Sequence, residues 1–327
     1  MSIFGPNVEK LKAKRDIEGL IKVLSTEKKF SLRQAAAVAL GQLGDRRVVE
    51  PLIIALADED VDVHYASRDA LKMIDPNWVK SDAAKKSLPK LLSALQSDDS
   101  GVRVRVLGEM VPMGDPSTVE PIIAALTDKY GPVRAYAAAA LGEIKDRRAV
   151  EPLIQVIDRK ESKAREQVVT ALGKIGDIRA VAPILQALKD DIQEHQAAHA
   201  ALNNKNDVQR VLLGGAIKPV ETSHVATALE EIANANIADS TENVAYSESI
   251  ELLIETLKSR DTDLRKVAAE ALGYFKSQRA MEPLLQMLNS LNDADKGPKD
   301  FARSMEIMHE RNAVTKSLEK LGWQSGK

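Results

Sequence analysis

His195 and His199, in "EHQAAHAAL", lie four residues apart. On a helix that spacing stacks both imidazoles on one face, as a two-histidine metal site requires. Such a site needs further ligands, and a zinc-protease helix needs Glu at position 196, where this chain has Gln. The pair is a weak metal candidate, set against a structural reading of two hydrogen-bonded histidines in an otherwise apolar column. A second polar set recurs regularly. Arg103, Arg134 and Arg165 follow at intervals of 31, Arg33 lies 70 before Arg103, and Arg265 lies 100 after Arg165. A row of guanidiniums can hold phosphate. It can also be a structural ladder, each Arg bridging neighbouring units through an Asp or the carbonyls of a helix end. The ladder is preferred, because a formal net charge of −2 leaves no basic surplus. His64 and Gln196 replace Arg in this register. Trp78, in "IDPNWVKSDAA", is one of two tryptophans. It reads as a plug of its own loop or as an exposed anchor for a partner.

The elements that position these residues come from an internal repeat. "ALGQLGDRRVVEPLIIAL", "ALGEIKDRRAVEPLIQVI" and "ALGKIGDIRAVAPILQAL" are near-copies. The Pro column, Pro51, Pro121, Pro152, Pro183 and Pro283, keeps the same register, with an eight-residue insertion at 76–83. In "VRAYAAAALGEI" the apolar residues form one helical stripe. Gly44, Gly114 and Gly176 suit the left-handed end of that helix. Asp45, Asp115, Asp146 and Asp177 suit the start of the next, and the prolines fall near that start. Units begin near Val8, Leu32, Val63, Val102, Val133, Ala164 and His195. A divergent unit follows with helices near 220–233 and 248–258, then a unit from Leu264 and a charged closing helix near 301–321. One such helix pair buries too little to fold alone, so each copy completes the core of the one before it.

"LRQAAAVALGQLGDRRVVEPLIIALADEDVDV" resembles the short HEAT repeat of the phycobilisome-lyase type, over about residues 8–290. The resemblance implies an all-α, right-handed α-solenoid of about nine helix pairs with a C-terminal capping helix and with second helices on the concave side. It also implies a scaffold or adaptor as the usual role, a bilin lyase-like or chromophore-handling factor as an alternative, and an iron-dependent hydroxylase in one branch. Hydroxylases of that branch carry several His-Glu pairs; here only His309–Glu310 has that order.

Composition narrows the functions further. The chain has 327 residues, 3% aromatics and no cysteine, which excludes disulfides, thiolate metal sites and a Cys nucleophile. No apolar run is long enough to span a bilayer, and the N-terminus reads as no secretory signal. The expectation is a cytoplasmic protein without nucleic acid, membrane insertion, cofactor or small-molecule substrate. An N-terminal array is expected over 1–202, a divergent repeat and long loop over 203–246, and C-terminal repeats over 247–327. In the "EPLIxxL" helices the two variable positions are expected to line the concave face, giving Ile54, Ser93, Gln155, Gln186, Gln286 and Met287 as candidate partner contacts. That lining is small and neutral and suits a protein helix or loop. The leading expectation is a non-enzymatic scaffold; a bilin-handling factor and a metal-dependent enzyme using His195 and His199 are the alternatives.

Overall fold

The computed structural model describes residues 6–157, 162–202, 222–236, 244–296 and 301–324. Among them are 17 α-helices and no strand. The helices pair as α1 (Val8–Ala13) with α2 (Ile17–Thr26), α3 (Phe30–Leu43) with α4 (Val49–Ala55), and α5 (Val61–Ile74) with α6 (Asp82–Ser93). Next come α7 (Ser100–Met113) with α8 (Val119–Ala125), α9 (Gly131–Ile144) with α10 (Val150–Ile157), and α11 (Ser162–Ile175) with α12 (Val181–Leu202). Then follow α13 (Thr222–Asn236) with α14 (Val244–Thr256) and α15 (Thr262–Phe275) with α16 (Met281–Ala294), closed by α17 (Phe301–Lys320).

The chain forms two compact units, Met1–Ala140 and Leu141–Lys327. In the first, α3 packs on α5, and α4 packs between α2 and α6. In the second, α11, α13, α15 and α17 stack in chain order, and α12 packs on α10 and α14. Like therefore stacks on like, and the chain is an all-α solenoid array built from near-copies. Of the expected middle segment 203–246, only 222–236 and 244–246 lie within the described residues, as α13 and the start of α14.

The sequence ends several of the first helices by local chemistry. Gly44, Gly114 and Gly176 adopt φ of 69°, 60° and 74°, the left-handed region that a side chain disfavours. Asp45, Asp115, Asp146 and Asp177 each accept a hydrogen bond from the backbone N–H two residues on, and a short 3-10 turn leads into the second helix. Lys145 occupies the glycine position of its repeat at φ 58°. Lys145→Gly is accordingly expected to stabilise the protein by about 1 kcal/mol, seen as a higher urea midpoint.

First helices also touch backbone to backbone. A Cβ built on Gly41, Gly142, Gly173 or Gly273 would lie 2.8, 2.8, 2.6 and 2.8 Å from the Cα of Ala70, Ala171, Ala228 and Ser317. These four contacts set the spacing of consecutive first helices, a role the sequence reading did not give to any glycine.

One expected boundary is corrected. No new helix pair begins at His195, because α12 runs unbroken for 22 residues, Val181–Leu202. Between Pro183 and Leu202 the chain has neither Gly nor Pro, so nothing ends the helix there. The first-helix position that follows α11 is taken by α13, whose Ala228 meets Gly173. Eight helix pairs are therefore found among the described residues, where the repeat count expected about nine.

Candidate functional site

The arginine column sits inside the array. Arg33 donates to both carboxylate oxygens of Asp58 at 2.8 and 2.7 Å and to the carbonyls of Glu27 and Lys28 at 2.9 and 3.1 Å. Arg103 repeats the pattern with Asp128, at 2.7 and 2.8 Å, and with the carbonyls of Ser97 and Asp98. Arg134 donates to the Asp128 carbonyl, and Arg165 donates to the Ile157 carbonyl at 2.9 Å and pairs with Asp191. Arg265 donates to both oxygens of the buried Glu310 and to the Ser259 carbonyl. Each guanidinium thus ties the end of the preceding helix or the turn before its own, and Arg33, Arg103, Arg165 and Arg265 also reach a carboxylate further along the chain. Arg103, Arg134 and Arg165 are buried, so they offer no phosphate-binding surface.

Glu310 therefore serves as a ladder partner, while its neighbour His309 is exposed. His195 lies half-buried on the continuous α12, and the side chain of His199 lies outside the described residues. Among the described residues no group of three or more His, Asp or Glu is arranged to hold a metal. Trp78 is 3% exposed, within a short 3-10 turn, Trp78–Lys80. This corrects its reading as an exposed anchor: the indole is buried, in a turn that packs on α6 and α7.

The second helices carry the open face. Ile54 is half-buried, and Ser93, Gln155, Gln186 and Gln286 are exposed. Met287 is 9% exposed and belongs to the core, as do Ala55, Val156 and Ala187 one position after the exposed residue of their own helices. The expectation of two outward positions per helix is thus corrected: four of the six second positions are turned inward, while Ala94 and Ala125 stay half-buried beside the exposed Ser93 and Ala124.

Two hollows open on this face, one in each unit. The first, about 510 Å³, lies between α2 and α4, with Ile21, Leu24, Pro51 and Ile54 among its walls and Glu27 and Glu59 at its rim. The second, about 590 Å³, lies between α12 and α14, with Pro183, Leu185, Gln186 and Leu252 among its walls and Lys189 and Lys258 at its rim. Sequence reasoning found Ile54 and Gln186 but missed Ile21, Leu24 and Leu252. Ile21 and Leu24 align with the core positions Ile53 and Leu56 when "KRDIEGLIKVL" is set on "RRVVEPLIIAL", so that match points them inward; Leu252 takes the place of Pro51 in "IELLIETL", which departs from the EPLI pattern at that proline. The electrostatics of the first hollow are local: Arg33 is held above its ordinary pKa, chiefly by its hydrogen bond to Asp58, which keeps the guanidinium charged beside the apolar wall.

The comparisons agree with this architecture. The "HEAT repeats" family profile matches residues 17–110 and 119–203, and the "PBS lyase HEAT-like repeat" profile matches residues 264–290. A HEAT repeat-containing taxis protein of Halobacterium salinarum is 27% identical over 150 residues, covering 42% of this chain and 37% of that protein's length. Importin beta is similar in fold, at 14% identity and a TM-score of 0.54, over 97% of this chain and 45% of that one. The complex of phycocyanin lyase subunits CpcE and CpcF from Nostoc sp. PCC7120 aligns at 20% identity and a TM-score of 0.32, over 91% of this chain and 94% of that one. No helix among the described residues is long and apolar enough to cross a membrane. With profile matches over more than half its length, and helix pairs that stack in chain order, the chain belongs to the HEAT repeat family.

Proposed function

We propose that this protein is a non-enzymatic scaffold that binds partner proteins along the exposed face of its second helices. One observation carries the reading. The polar machinery, the arginines above all, is consumed in holding repeats together, whereas the second helices leave small, neutral side chains beside hollows with aliphatic walls. Aliphatic hollows between parallel helices suit the anchor residues of a partner helix or loop. The hollow at Ile54 is the contact proposed for unit one, and the hollow at Gln186 that for unit two. Ser93, Gln155 and Gln286 complete the face as neutral positions on which a partner backbone can lie.

The test is capture from native extract with three immobilised proteins: the parent chain, Ile54→Arg, and Tyr65→Arg on an exposed first-helix site. The parent and Tyr65→Arg are expected to retain the same stoichiometric protein, and Ile54→Arg to lose at least about tenfold of it, since a buried hydrophobic anchor contributes about 1.5–3 kcal/mol. Equal capture by all three proteins, or capture lost only in Tyr65→Arg, contradicts the proposal. Titration of the parent with a bilin is expected to leave the pigment's visible band unchanged; a shift would favour chromophore handling instead.

A further inference from the structure

Two consecutive repeats of unit one are written differently from their neighbours at three columns, the first at two and the second at one. His64 stands where Arg33 and Arg103 stand, Lys72 where Gly41 and Gly142 stand, and Glu109 where Ala39 and Ala140 stand. The insertion at 76–83 falls in the repeat of His64 and Lys72. Between α5 and α7 the glycine-to-alanine contact is thus replaced by Lys72 and Glu109, and the arginine rung by an imidazole.

The atoms at this junction define a protonation problem. The side chains of His64 and Glu109 are each 3% exposed, and His64 Nε2 lies 3.5 Å from Glu109 Oε1. On the other edge of the ring, Nδ1 lies 2.8 Å from the Leu56 carbonyl oxygen. A carbonyl only accepts, so Nδ1 carries its hydrogen and donates it. A neutral ring then presents a bare lone pair at Nε2, and an ionised carboxylate presents another acceptor. Two buried acceptors facing one another are reconciled by one proton between them.

We propose that His64 and Glu109 form a buried one-proton site that locks α5 to α7, and that loss of this proton or gain of a second loosens the joint. The groove reading of the protein's function is independent of this site, and neither depends on the other.

The surroundings say where the proton resides and why the site accepts only one. Burial, the largest influence on each group, holds His64 below its ordinary 6.5 and pushes Glu109 above its ordinary 4.5, with Arg68 and Lys72 pulling Glu109 part of the way back. Both shifts move the shared proton from His64 toward Glu109, whose Oε1 is the oxygen that faces Nε2. The charged groups facing the pair are Arg68, its Nε 3.3 Å from Glu109 Oε1, with Lys72 also on α5 and Arg105 on α7. From the α4 side, Arg105 is tied to the carbonyls of Asp58 and Glu59, while the Asp58 carboxylate is taken by Arg33. Three cations oppose a second proton on the pair.

The pH dependence follows from proton counts in the two states. In the proposed site the folded pair keeps its shared proton where free His64 and Glu109 have both lost theirs, so stability falls as pH rises through the pair's own titration. Between 4.5 and 6.5 each state holds one, and the contribution is flat. Below 4.5 the unfolded chain takes two while the folded pair resists the second, so stability falls again.

Glu109→Gln separates this from a purely structural role, because the glutamine amide donates permanently to Nε2 and does not titrate. Hydrogen exchange of the α5 and α7 amides in the full chain, corrected for intrinsic rates, is compared at about pH 6 and about pH 8.5, on either side of the ordinary histidine value. In the parent protein, protection of these helices is expected to fall at least threefold at the higher pH, and in Glu109→Gln to stay constant. Nitrogen NMR of the parent protein gives the same answer without a variant: Nδ1 is expected to remain protonated and Nε2 to remain an acceptor through the ordinary histidine range. Equal protection at both pH values in the parent protein, an unchanged pH response in Glu109→Gln, or His64 titrating at its ordinary value would each overturn the proposal.

Discussion

Arg103→Ala is expected to destabilise the protein by about 3–5 kcal/mol, as removal of one partner from a buried ion pair does. Arg103 is 4% exposed and spends its guanidinium on both oxygens of Asp128 and on the carbonyls of Ser97 and Asp98. Burial pushes the Asp128 carboxyl up, but the bonds from Arg103 and the Tyr130 N–H outweigh it and hold the group below its ordinary 3.8. Without Arg103 the burial remains and its compensation is gone, so Asp128 takes up a proton more readily. The loss in Arg103→Ala should therefore be largest near neutral pH and shrink as pH falls and Asp128 becomes neutral. Urea unfolding at two pH values measures both features. The double variant Arg103→Met with Asp128→Leu is expected to regain most of the loss, because an apolar pair carries no desolvation penalty. Arg47→Ala provides the contrast: Arg47 pairs only with Asp45 in its own exposed turn, and its removal is expected to be nearly silent.

The second large effect is at the glycines inside the first helices. A Cβ on Gly142 would sit 2.8 Å from the Ala171 Cα, a backbone atom that cannot swing aside. Gly142→Val is expected to cost about 3 kcal/mol by forcing the two helices apart. Gly41→Val and Gly273→Val should behave alike, since their Cβ atoms would meet Ala70 and Ser317 at the same distance. Gly108 lies within α7, and a Cβ there would have nothing within 4 Å. Gly108→Ala is expected to stabilise the protein by about 1 kcal/mol, the ordinary helical preference for alanine. Opposite signs at Gly142 and Gly108, read from unfolding midpoints, distinguish contact glycines from incidental ones.

Those glycines mark the limit of what the sequence disclosed. The array was legible because Arg, Asp, Gly and Pro recur at fixed offsets, and each type has a local reason to stand at a helix end or in a turn. The second-helix face was legible at Ile54 and Gln186 for the same reason. Gly41 and Gly142 recur as faithfully as Gly44 and Gly176, but their role lies in contact with the following repeat, and spacing along one chain does not reveal which backbone approaches which. Met287 was misplaced because a two-residue gap in a motif suggests two outward side chains, whereas the 100° of rotation per residue turns the second of them into the core in α16. The helix boundary expected at His195 failed because register was weighed above the plain absence of any helix breaker between Pro183 and Leu202. Trp78 could not be decided before its burial was known, since a loop indole is chemically suited to both fates.

The central claim, that partners dock on the second-helix face, is tested most directly by hydrogen exchange on the captured complex compared with the free chain. The account predicts slowed exchange confined to second helices, with α2 and α4 or α12 and α14 foremost and the exposed faces of α3, α5 and α15 unchanged. Protection on the first helices, or the same exchange in bound and free chains, would contradict it.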